Sequence, residues 1–138
     1  MNNKTMSLND VLDELKQQKD ICLGETSKID YKLLSKINEL INKTEALLNE
    51  QNLMDKIFIG TLVDLQFIYS DGETEEMSYY LGIDSSENNI SIYSPLGSAI
   101  YGRSVKDTVS YKAKNEIIEV TILNKNMIEE NPKTMLLK

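Results

Sequence analysis

Histidine is absent from the 138 residues, and cysteine occurs once, as Cys22. Those two counts bound the chemistry the chain can do unaided. They exclude Ser-His-Asp and Cys-His nucleophilic catalysis, His-ligated zinc or haem, and a histidine pH switch. They also exclude an internal disulfide and a thiolate metal cluster. Cys22 reads as a small buried hydrophobe in a helical seam, and a lone cysteine fits a reducing compartment.

The remaining charged and aromatic side chains gather in a few places. Asp20, Glu25 and Asp30 surround Gly24, with Lys28 among them. The plain reading is a solvated turn in which Asp30 serves a helix cap at Ser27. Arg103 and Lys106 form a local basic pair. Tyr79, Tyr80, Tyr93, Tyr101 and Tyr111 could stack on bases. In a chain with 22 acidic and 15 basic residues and no basic groove, they read instead as sheet-packing residues. No catalytic residue, no metal-ligating set and no cofactor is expected. No apolar run approaches the ~20 residues that span a bilayer. The first ten residues lack the apolar stretch of a signal peptide. The expectation is a soluble cytoplasmic protein with no membrane contact.

These residues need elements to position them, and the hydrophobic period supplies two regions. Over residues 7–53 it is helical. Leu8, Val11, Leu12 and Leu15 recur at i, i+3, i+4 and i+7, and the seam Leu8, Leu12, Leu15, Lys19, Cys22 has one polar member. Ser7 with Asp10 opens the first helix, and Gly24 closes it by taking the left-handed conformation cheaply. Ser27 with Asp30 opens a second helix, whose stripe is Leu33, Ile37, Leu40, Thr44 and Leu47, widened by Leu34, Ile41 and Leu48. At ~1.5 Å per residue, residues 8–23 and 28–50 give arms of about 24 and 34 Å. A short turn makes them an antiparallel hairpin, a coiled coil. The base of the longer arm needs a second surface, either the rest of the chain or another copy.

From Ile57 the period is two. Strands are expected at Leu62–Tyr69, Met77–Ile83, Ile90–Tyr93, Val105–Tyr111 and Ile118–Ile122. Turns fall at Ser70–Glu73, Asp84–Asn89 and Lys114-Asn115, and Pro95 opens a short helix through Ile100 or Tyr101. This is an α+β chain: a helical hairpin over residues 1–55, a mostly antiparallel β domain with one short helix over 56–128, and a tail over 129–138.

Residues 90–110, ISIYSPLGSAIYGRSVKDTVS, resemble the C-terminal domain of the bacterial Gre transcript-cleavage factors. The family pattern is a strand ending in Ser-Pro, a short helix with a small residue, then Gly-Lys/Arg-x-Val-Gly-Asp. Ser94-Pro95, Ala99, Gly102-Arg103, Val105 and Asp107 match in order, and Lys106 replaces the glycine. YYLGIDSSENNISIYSP upstream and EIIEVTILN downstream extend the similarity to roughly residues 57–124. The resemblance implies an FKBP-like fold for the β domain. It also implies docking on RNA polymerase near the secondary channel, with Asp84, Ser94, Pro95, Leu96, Ile100 and Arg103 as the polymerase-binding residues. A competing reading packs Leu96 or Ile100 onto the sheet.

In the family, a coiled coil threads inward and two tip carboxylates in a Gly-Asp-x-x-Glu-like motif help hold a catalytic Mg²⁺ of the polymerase, an ion that takes hard oxygen ligands. The corresponding tip here is Gly24-Glu25-Thr26-Ser27-Lys28, with Asp20 and Asp30 beside it. Lys28 stands where the second acid belongs, and its charge opposes a cation. The short arms are similar in layout to those of Rnk, a regulator of nucleoside diphosphate kinase. The resemblance therefore implies a Gre-like elongation regulator without strong cleavage stimulation, at most a cofactor of the polymerase. Nucleic acid is met only through the polymerase, and self-association is possible. The alternatives are an active cleavage factor using the tip carboxylates, a Rnk-like regulator, and a prolyl isomerase by fold analogy. The last ranks low in a chain with no Trp and only two Phe.

Overall fold

The computed structural model describes residues 7–24, 28–84 and 89–127. Helix α1 spans Leu8–Leu23 and helix α2 spans Tyr31–Leu48. Ser7 caps α1 by accepting the Asp10 N–H at 3.1 Å. Gly24 closes it, but at φ −81°, in the right-handed region. The start of α2 differs from the sequence expectation. Asp30 is itself the N-cap, accepting the Leu33 N–H at 3.1 Å, and Ser27 lies outside the described residues. The arms are thus about 24 and 27 Å long.

The two helices fold back on each other. Val11, Leu15 and Cys22 of α1 are buried, as are Ile37, Leu40, Ile41, Thr44 and Leu47 of α2. Leu33 and Leu48, placed in or beside the predicted seam, are exposed.

Five strands follow: β1 (Thr61–Ile68), β2 (Thr74–Gly82), β3 (Asn89–Ser91), β4 (Thr108–Ala113) and β5 (Glu116–Met127). Their order across the sheet is β3-β2-β1-β5-β4, antiparallel throughout except for the parallel β2–β3 pair. Burial alternates along β1, with Thr61, Val63, Leu65 and Phe67 inward, as a half-covered strand requires. Helix α3 (Pro95–Ile100) packs against both β3 and β4, the two edge strands. One short helix can touch both edges only because the sheet curls around it. Ile57, Val63, Leu65, Leu81, Ile92, Ile100 and Ile122 fill the space enclosed. Val105, expected to open a strand, lies instead in the turn before β4, where Lys106 takes φ +82°.

The longer helix finds its second surface within the chain. Thr44 on α2 and Tyr101 after α3 are both fully buried, and their hydroxyls lie 2.7 Å apart. The connecting segment is fixed by β5, from the inner face of the sheet. Lys125 on β5 donates to the carbonyls of Leu53 (3.1 Å) and Lys56, and its ammonium sits 4.3 Å from the centre of the Phe58 ring. Among the described residues, no helix is long and apolar enough to cross a membrane.

Candidate functional site

The segment between β3 and β4 holds most of the residues singled out for docking, and its local chemistry explains their placement. Ser91 ends β3 and turns the chain: its hydroxyl donates to the Ile83 carbonyl (2.7 Å) and accepts the Tyr93 N–H (3.0 Å). Ser94 is the N-cap of α3. Its hydroxyl accepts the Gly97 N–H at 3.0 Å and donates to the Ser91 carbonyl at 2.7 Å. Pro95 takes the first helical position, where its missing N–H costs nothing, and stands exposed. Gly97 lets the helix lie directly on β3. A Cβ at that position would meet the Ser91 carbonyl oxygen at 1.8 Å.

The six residues expected to dock therefore separate into two groups. Asp84, Pro95 and Arg103 are exposed, and Ser94 is partly so. Leu96 and Ile100 are buried, 9% and 0% exposed, and pack into the core beneath the helix. Their part in any docking is to support the surface from below. Arg103 pairs through Nε with the Asp107 carboxylate at 3.5 Å, and Asp107 also accepts the Ser104 N–H at 2.9 Å. That carboxylate holds the turn in which Lys106 adopts its left-handed conformation.

Two lysines that the sequence pattern did not mark complete this face. Lys36 donates to the Ser98 hydroxyl at 2.9 Å, and Lys43 donates to the Ser98 carbonyl at 2.5 Å. Burial lowers the Lys43 ammonium below the usual lysine range; Glu39, 3.8 Å away, opposes the shift, and Arg103 and Lys36 add to it. The one available signal in sequence was the polar member Thr44 in the α2 stripe. Tyr93 follows β3 and packs against the core. Burial raises its phenol, with the Glu14 and Asp84 carboxylates adding to the effect. Its hydroxyl is buried and has no hydrogen-bond partner among the described residues.

At the hairpin tip, Asp20, Lys28 and Asp30 are exposed, and Glu25 lies outside the described residues. The Asp30 carboxylate is occupied in capping α2, as its carbonyl is in accepting the Cys22 thiol at 3.7 Å. Among the described residues, no three acidic or thiol side chains converge as a metal site would need. The region as a whole is an exposed surface held by a continuous set of local hydrogen bonds.

Comparison with known proteins places this surface in context. The family "Transcription elongation factor, GreA/GreB, C-term" matches residues 50–125. The transcription elongation factor GreA of Thermoanaerobacter pseudethanolicus is 28% identical over 123 residues, 86% of this chain and 71% of that protein. The GreA of Chloroherpeton thalassium is 33% identical over 91 residues, 62% of this chain and 56% of that protein. A solved GreA/GreB factor from Nitrosomonas europaea is similar at 18% identity and a TM-score of 0.49, covering 81% of this chain and 91% of the other.

Proposed function

The chain belongs to the GreA/GreB transcription elongation factor family, and from that premise we propose that it binds RNA polymerase near the secondary channel and modulates elongation without strongly stimulating transcript cleavage. The docking surface is the exposed set Asp84, Pro95 and Arg103, held by the Ser94 cap and backed by Leu96 and Ile100. The setting is the cytoplasm, and any part in cleavage is that of a cofactor to the polymerase.

The observation that carries the reading is the reach of the hairpin. Its arms have 16 and 18 residues, and α2 is tied to the β domain as early as Lys36. Only Tyr31–Ser35 lies beyond that tie, about 8 Å of helix. A tip so close to its base, carrying Lys28 where an acid is needed, is poorly suited to holding a metal ion deep inside a larger enzyme.

The test uses core polymerase and backtracked elongation complexes. The full chain is expected to co-purify with core polymerase, to compete with an authentic Gre factor, and to leave the backtracked RNA intact at saturating protein with Mg²⁺ present. Lys28→Glu is expected to leave the RNA intact as well, because reach is the limit. Failure to bind polymerase overturns the proposal. RNA cleavage by the unaltered chain replaces it with the active-factor reading, in which Glu25 with Asp20 or Asp30 supplies the carboxylate pair.

A further inference from the structure

The inner face of the curled sheet ends in a cluster of aromatic rings away from α3. Phe67 on β1 is buried, 4% exposed. Its ring stacks on Tyr69 (centroids 6.4 Å, planes 12° apart) and meets Tyr79 of β2 edge-on (6.5 Å, 83°). Tyr111 of β4, opposite Ile118 in the register, stands on the same face. Three strand spacings would set β2 and β4 about 14 Å apart in a flat sheet. The curl brings Tyr79 close enough to add to the raised proton affinity of Tyr111, which burial chiefly causes. Tyr69, Tyr79 and Tyr111 all keep part of their surface open.

The rim is acidic. The Tyr69 hydroxyl donates to Glu75 at 2.7 Å, and Glu116 accepts the Ser70 N–H at 3.1 Å and its hydroxyl at 2.9 Å. Register places Glu75 opposite Phe67, and Glu116 opposite Ala113, on this same face. Among the described residues, no lysine or arginine occupies a strand position beside this cluster: Lys112 alternates to the other side, and Lys125, on this face opposite Val63, is engaged by the Leu53 and Lys56 carbonyls. Three phenol rings beside two carboxylates present a concentrated negative potential: the ring faces carry the negative part of the π quadrupole, and the carboxylates add full charge.

We propose that this aromatic, acid-rimmed face binds an arginine side chain presented by a partner protein. A guanidinium is flat, stacks on aromatic rings and donates in a fork that fits a carboxylate. Anionic partners such as nucleic acid or an acidic membrane are repelled by the same rim. The inference is independent of the polymerase-docking surface around Pro95.

The test is NMR of the full chain titrated with ethylguanidinium chloride, at concentrations well below those that unfold proteins. Sodium chloride at equal ionic strength is the reference. Ring signals of Tyr69, Tyr79 and Tyr111 are expected to shift saturably, with affinity weakened about fivefold in Glu75→Gln and in Tyr111→Leu. Glu75 is exposed, so Glu75→Gln keeps the test decisive if Tyr111→Leu fails to fold. Shifts that are linear in probe, that sodium chloride reproduces, or that persist unweakened in Glu75→Gln overturn the proposal. Equal binding of tetramethylammonium overturns the choice of arginine.

Discussion

The hydroxyls of Thr44 and Tyr101 lie 2.7 Å apart where neither side chain is exposed. Thr44 also donates to the Leu40 carbonyl at 2.8 Å, so its proton is committed to the helix and the Tyr101 hydroxyl donates to it. One hydrogen bond thus joins the helical hairpin to the β domain across 57 residues of chain. Tyr101→Phe leaves Thr44 bonded to its own helix and is expected to cost about 1 kcal/mol. Thr44→Val strands the phenol without a partner and is expected to cost about 2 kcal/mol. The double variant should cost less than the sum. Urea unfolding of the four proteins measures this, and strict additivity would show that the pair does not act as one.

Burial pushes the Tyr101 phenol up to about 12, and a Thr44 hydroxyl that turns to donate to the phenolate once the proton has left limits the rise. Its ordinary value is 10.0, so the folded state holds this proton more tightly than the unfolded chain does. The associated stability is complete below pH 10 and fades as pH rises through the folded value. A loss on the order of 3 kcal/mol is expected between those limits. Tyr101→Phe should remove that part of the alkaline decline, and Tyr69, also raised to about 12, cancels in the comparison. Identical declines in the two proteins, followed by urea unfolding up to pH 12, would contradict the assignment.

Gly97 admits no side chain. A Cβ would lie 1.8 Å from the Ser91 carbonyl oxygen and 2.7 Å from its carbon, both backbone atoms that cannot swing aside. Gly97→Ala is expected to displace α3 and to cost more than about 4 kcal/mol. Thermal unfolding followed by tyrosine fluorescence checks this; a midpoint within a few degrees of the unaltered chain would be incompatible with the packing described.

Lys106 sits at φ +82°, where a side chain is strained. Lys106→Gly relieves ~1–2 kcal/mol of that strain and gives back roughly 0.4–1 kcal/mol through the looser unfolded chain. A net gain of about 0.5–1 kcal/mol follows. The variant also returns the position to the residue used in the Gre pattern. A chemical-denaturation midpoint that falls instead of rising would mean the ammonium makes a contact worth more than the strain.

Much of this architecture could be read from residue spacing. The step of three and four through Leu33, Ile37, Leu40, Thr44 and Leu47 announced a helix with a partner, and the alternation in Leu62–Tyr69 announced a strand. Pro95 marked the start of α3 and Lys114-Asn115 the last turn. Local chemistry also set the limits. Ser27 and Asp30 are both good caps, and sequence alone does not say which one the helix uses. The α1–α2 seam accounts for only part of the α2 surface, since α2 also rests beside α3. Leu33 and Leu48 are left exposed, while Thr44 is drawn into the core. Lys36 and Lys43 reach Ser98 over 62 and 55 residues, a separation that leaves no periodic trace. Leu96 and Ile100 lie in a stretch too short for periodicity to tell inward from outward.

Lys125 sets an order of events during synthesis. The carbonyls it holds belong to Leu53 and Lys56, and its strand β5 also forms one whole flank of β1. A ribosome making this protein therefore releases the hairpin and four strands before the piece that fastens them has emerged. Until residues 116–127 are free, β1 has one bare edge and the segment between hairpin and sheet lacks its Lys125 anchor. A pause late in translation would prolong that vulnerable state, when capture by a chaperone or by a neighbouring nascent chain is easiest.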